Sequence, residues 1–135
     1  ITHVLDTSAL LAHYLNEAGA ETVNAILTLG PDRVALSPTS VVELHGRLSE
    51  LVAMSERNRV FELYTRSLAF RLPVTDVTID CAIELRGSTR PRLPMADAFI
   101  AASAKEHSAI LVHRDPHMSG ISPDLITQIV LPPRN

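Results

Sequence analysis

Cysteine, tryptophan and long apolar runs are scarce in this chain of 135 residues, and each shortage excludes something. There is one cysteine, Cys81, and no tryptophan. A lone thiol rules out an internal disulfide and gives no support for a cysteine zinc site, so a reducing, cytoplasmic setting is the default. Only 4% of residues are aromatic, which leaves no ladder of rings for stacking bases. No apolar stretch reaches the roughly 18 to 20 residues that cross a bilayer, and no signal peptide is visible, so no membrane partner is expected. The start at Ile1 rather than Met leaves the natural beginning of the chain open. No glycine-rich phosphate loop and no Gly-x-Ser-x-Gly elbow is found. The net charge of −3 argues against gripping nucleic acid by the overall field, while leaving room for a local basic rim.

What remains is ordinary globular composition, 46% apolar and 20% charged, in one expected domain over residues 1–135. Short apolar runs alternate with helical patterns, which predicts an α/β fold with a doubly wound parallel sheet and helices on both faces. Strands are expected at about Thr2–Leu5, Val34–Ser37, Leu72–Thr75, Ala109–Val112 and Gln128–Leu131. Helices are expected from Ser8, over Ala20–Leu29 up to the Gly30-Pro31 breaker, from Pro38 with Ser37 as cap, over Ser55–Leu72, over Val77–Arg86, and from Pro94. Val41, Leu44, Leu48 and Leu51 mark the buried stripe of the third helix. The stripe Val60, Phe61, Tyr64 and Leu68 faces either the core or a partner.

Four carboxylates fall where such a fold would gather them. Asp6 ends an apolar run, Glu43 and Asp97 lie early in helices, and Asp115 closes a second apolar run. In a doubly wound sheet, strand C-termini and the following helix N-termini share one rim. Taken singly, Asp6 could be a helix cap, Glu43 and Asp97 could complement helix dipoles, and Asp115 before Pro116 could form a turn. Together they favour a site. Like charges forced within a few ångströms repel by several kcal/mol, on the order expected in a protein-like dielectric, unless a cation offsets them. An oxygen-lined anionic pocket suits Mg²⁺ or Mn²⁺, and the reaction class that fits is phosphodiester hydrolysis. The remaining acids read as turn residues, helix starts or solvated faces. His113 and His117 flank Asp115 and could touch substrate or metal; rim histidines are the plainer reading.

These residues in this order resemble the PIN domain family. Val4-Leu5-Asp6-Thr7-Ser8 resembles its opening strand and first acid, and Ser40-Val41-Val42-Glu43-Leu44 its second acidic segment. Leu93-Pro94-Met95-Ala96-Asp97-Ala98-Phe99-Ile100-Ala101-Ala102 is close to its third, and His113-Arg114-Asp115-Pro116-His117-Met118 resembles its fourth. Length and the single compact unit resemble the VapC-type toxins of toxin–antitoxin pairs. The resemblance implies a three-layer α/β/α sandwich around a mostly parallel five-stranded sheet. It also implies Mg²⁺- or Mn²⁺-dependent ribonuclease activity, with Asp6, Glu43, Asp97 and Asp115 at the metal site and Asp6, Asp97 and Asp115 as ligands. A homodimer and a small antitoxin that blocks the site are implied as well. In the fourth motif the family usually has Thr or Ser where His113 stands, and an aromatic where Met118 stands. Either His113 serves in place of the hydroxyl or the shell is altered. Ser8 keeps a hydroxyl that can orient Asp6.

An acidic pocket cannot attract RNA unaided. Arg86, Arg90 and Arg92 lead into the Asp97 helix and Arg114 adjoins Asp115; at the rim, Arg90, Arg92 and Arg114 could hold phosphates of a tRNA, rRNA or mRNA. A solvated connecting loop is the alternative. The expected activity is that of an endoribonuclease. Its rivals are a structure-specific DNA nuclease, which usually needs clamping insertions this chain lacks, and a PIN-like module that binds RNA or protein with weakened catalysis. A phosphoacceptor receiver would need an acidic pair after the first strand and a late lysine, and neither is present.

Overall fold

The computed structural model describes residues 1–134. The apolar runs form strands β1 (His3–Leu5), β2 (Val34–Leu36), β3 (Phe70–Arg71), β4 (Ile110–His113) and β5 (Thr127–Val130). Between them lie helices α1 (Thr7–Tyr14), α2 (Ala20–Leu27), α3 (Pro38–Leu51), α4 (Met54–Glu62), α5 (Asp76–Ser88) and α6 (Met95–Glu106), and the single turn α7 (Pro116–Ser119). All five strands pair in parallel, in the spatial order β3-β2-β1-β4-β5.

Strand alternation builds two cores. Leu5, Leu36 and Val112 face one side and pack with α1 to α4 through Leu10, Val23, Leu44 and Leu48. Val4, Ala35 and Leu111 face the other and pack with α5 to α7 through Leu85, Ile100 and Met118. The result is a three-layer α/β/α sandwich. The α6 face is almost all small: Ala98, Ala101, Ala102 and Ala104 have no exposed surface. Without bulky side chains, this helix lies close to the sheet and to α5. Val60 and Tyr64 are buried, with Phe61 and Leu68 packed against the same core, so that stripe serves the interior.

The caps follow the residue types. Ser37 accepts from the Thr39 N–H ahead of α3, with Pro38 at its first position. Thr75 and Thr78 form a reciprocal capping box at α5.

Two expectations shift. The third strand lies at Phe70–Arg71 rather than Leu72–Thr75, because α4 passes into a π-helical segment over Leu63–Leu68 and the chain is already extended at Ala69. Leu72 still donates to the Leu36 carbonyl at 2.9 Å, but Pro73 has no N–H to continue the ladder. Leu51, expected in the buried stripe of α3, is 43% exposed; it is the last residue of the helix, where the chain turns away through an extended Val52.

The order of the strands decides where a site can form. From β1 the chain runs outward to β2 and β3, then crosses back to place β4 on the other side of β1. The direction of winding reverses between β1 and β4, and in open α/β sheets ligands bind outside the strand C-termini at that reversal. Leu5 is level with Val112 in the register, so the residues that follow both strands emerge side by side.

Candidate metal centre

Asp6 leaves β1 in an extended conformation and caps α1. Its Oδ2 accepts from the Ser8 N–H at 3.1 Å and from the Ser8 hydroxyl at 2.5 Å. The same hydroxyl oxygen accepts the Arg114 N–H at 3.1 Å, so Ser8 ties the end of β1 to the segment after β4. Asp115 caps α7, accepting from the His117 N–H at 2.9 Å. Asp97 sits in the first turn of α6 and is only 9% exposed. Glu43 extends from α3, and its Oε1 accepts from the Thr7 hydroxyl at 3.2 Å. Capping does not remove Asp6 and Asp115 from the cleft: each caps a helix and lines the same pocket.

All four acids line one cleft of about 520 Å³, together with Thr7, Ser8, Arg47, Arg114 and Arg134. Asp97, Asp115 and His117 bring one ligand atom each within 4.8 Å of one another. The His117 Nδ1 is 2.9 Å from Asp115 Oδ1 and 3.9 Å from Asp97 Oδ2.

Electrostatics record the crowding. The Asp97 carboxyl is pushed up to about 7, first by loss of solvent, then by the charges of Asp115 and Asp6, a hydrogen bond with Asp115, and Glu43. Burial raises Asp6, and the two hydrogen bonds from Ser8 oppose that rise. Glu43 is raised by lost solvent and then by the charge of Asp6. A divalent cation fits this donor set: hard carboxylate oxygens, mutually destabilised, with one imidazole at the edge.

The structure distributes the histidines and arginines differently from the flat sequence. His113 has no exposed surface and lies behind Asp115, not in the cleft. His117 is the histidine that faces the acids, because Pro116 starts α7 and turns residue 117 back over its own cap. The Asp-Pro-His order carried that signal. Arg114 lines the cleft, but its side chain is 9% exposed and held by the Ala18 carbonyl at 3.2 Å and Glu17 at 3.4 Å. Among the described residues, its Nη1 is buried with no hydrogen-bond partner. Arg90 donates to the carbonyls of Arg86, Gly87 and Thr89, closing the end of α5, and neither it nor Arg92 lines the cleft. Arg47 and Arg134 are the basic residues at the rim that sequence reading missed. Arg47 lies one turn after Glu43, a spacing that could have revealed it. Arg134 pairs with Glu17 at 2.9 Å across 117 positions, a contact no local pattern announces.

The family model described as PIN domain matches residues 3–122. Solved structures share the fold at low identity. A VapBC2 complex from Rickettsia felis, bound to a DNA fragment from its promoter, has a TM-score of 0.77 at 14% identity, covering 98% of this chain and 100% of that one. A DNA-bound VapBC from Salmonella typhimurium has a TM-score of 0.78 at 16% identity, covering 96% and 98%. VapBC-5 of Mycobacterium tuberculosis, a member of the VapBC family of toxin–antitoxin systems, has a TM-score of 0.71 at 21% identity, covering 96% and 98%. No curated protein matches by sequence.

Proposed function

The chain belongs to the PIN domain family, and from that premise we propose that it is a divalent-metal-dependent endoribonuclease, the VapC-type toxin of a toxin–antitoxin pair. The observation that carries this reading is the meeting of Asp6, Glu43, Asp97 and Asp115 in one cleft at the reversal point of the sheet. Asp6, Asp97 and Asp115 would hold Mg²⁺ or Mn²⁺, with His117 beside them. When bound, the ion supplies Lewis-acid stabilisation of the charge that develops on the phosphodiester. The chain's own groups do the remaining work. Ser8 fixes the rotamer of Asp6 through a charge-assisted hydrogen bond. Glu43, lining the cleft with a raised carboxyl, would take the proton of an attacking water. Arg47 and Arg134 at the rim would bind phosphates flanking the scissile bond. Arg90 and Arg92 would touch only RNA that extends past the cleft.

Structural neighbours include members of toxin–antitoxin systems, which supports an antitoxin as partner; a homodimer would be the working unit, as the family resemblance implies. Ile79 and Ile83, exposed one turn apart on α5, offer apolar surface for one of these contacts. No helix among the described residues is long and apolar enough to cross a membrane. The toxin so proposed would act in the cytoplasm on tRNA, rRNA or mRNA.

The test is incubation of purified protein with total RNA, with and without Mn²⁺, beside Asp97→Asn. Metal-dependent cleavage that disappears in the variant is the expected result. Folded protein that cleaves no RNA under either condition would favour a PIN-like binding module.

A further inference from the structure

The family's usual hydroxyl before the fourth acid is missing here, and a buried ring stands in its place. His113 ends β4 with no exposed surface. Its Nδ1 accepts the backbone N–H of Asp115 at 2.9 Å. That bond uses the Nδ1 lone pair, so the proton lies on Nε2, which is 2.6 Å from the Gln128 Oε1. With its oxygen so used, the Gln128 amide donates to the Ile121 carbonyl at 3.2 Å. The chain of bonds is complete: β5 holds the ring, and the ring holds the Asp115 backbone. Two residues on, the Asp115 carboxylate sits within ligand distance of Asp97 and His117.

We propose that His113 is the positioning residue of the metal centre: through the Asp115 N–H it fixes where the fourth carboxylate stands, and Gln128 sets its tautomer. The inference rests on Asp115 being a metal ligand, and deepens that reading. The ring never touches the ion. It acts as second-sphere partners do, by limiting the orientations open to a ligand, and losing such a partner typically weakens metal binding by about 10- to 100-fold.

The chemistry predicts which substitutions are tolerated. The amide oxygen of Asn can accept the N–H two residues on, as in an Asx turn. His113→Asn therefore keeps the bond to Asp115 and loses the one to Gln128. His113→Leu fills the space and loses both. Gln128→Leu leaves the ring in place without its partner.

The measurement is Mn²⁺ affinity by calorimetric titration without RNA, with thermal melts recorded alongside. Wild type binds, His113→Leu binds about 10- to 100-fold more weakly, and His113→Asn returns to within a few-fold of wild type although it too loses thermal stability. A purely structural histidine would instead make affinity follow stability, with Asn as poor as Leu; that result overturns the proposal. So does a folded His113→Leu with wild-type affinity. If His113→Leu does not fold, Gln128→Leu decides: weaker Mn²⁺ binding supports the role and unchanged affinity overturns it. Wild-type protein that binds no Mn²⁺ defeats the metal-centre reading itself, a distinct failure.

Discussion

At the scale of the residue, Asp97 has to carry charge where three other carboxylates already stand. In the absence of metal, its folded carboxyl titrates at about 7 against an ordinary 3.8. Between those values the folded chain binds a proton that the unfolded chain does not, so stability falls as pH rises through that window and levels off above it. Asp6 and Glu43 are shifted in the same direction and add to the slope. Asp97→Asn removes the largest contribution. We expect the metal-free variant to be more stable than wild type by about 1 to 3 kcal/mol near pH ~8, and little different near pH ~4, where both carry a neutral side chain. Denaturant unfolding at the two pH values checks this; a variant that is destabilised equally at both would show that the carboxyl is not electrostatically strained. Asp6 and Asp115 were legible because they follow strands and Asp97 because it starts a helix; Glu43 lies in the second turn of α3, where position alone says less. The hydrogen bonds that hold them were not, since Ser8 to Arg114 spans 106 positions and Thr7 to Glu43 spans 36.

At the scale of the element, α6 carries the third acid on a face made of alanines. A short helix is held by packing more than by propensity, and here the packing depends on smallness. Ala102 has no exposed surface. Ala102→Leu must push the helix away from its neighbours, at about 1 to 3 kcal/mol of lost stability. Because Asp97 rides on that helix, Mn²⁺ affinity should fall with it; a melt and a titration on the same sample check both. Its apolar period and the proline at its start made this helix readable, as the Ser37 cap and Pro38 did for α3, which begins where expected. The third strand was less readable. Its position depends on a π-helical segment that ends at Leu68, and nothing in the apolar pattern marks where a helix loosens. Arg114 shows the same limit: its place beside Asp115 is plain, but its burial against Glu17 and Ala18 arises from a contact about a hundred positions away.

At the scale of the whole molecule, the order β3-β2-β1-β4-β5 is what makes a site from scattered acids. It sets β1 and β4 side by side, with α3 and α6 delivering Glu43 and Asp97 to the same rim. Alternating apolar runs foretold a parallel sheet with two helical layers, and the family resemblance implied five strands; neither foretold which strands neighbour one another, because that order is set by long-range pairing. A fold that collects like charges should gain most from the ion that relieves them. The direct measurement is anomalous diffraction from crystals of this protein soaked in Mn²⁺. A manganese peak bounded by Asp6, Asp97 and Asp115, and absent in Asp97→Asn, is the predicted result. A peak only elsewhere on the molecule, or an unchanged peak in the variant, would contradict the account.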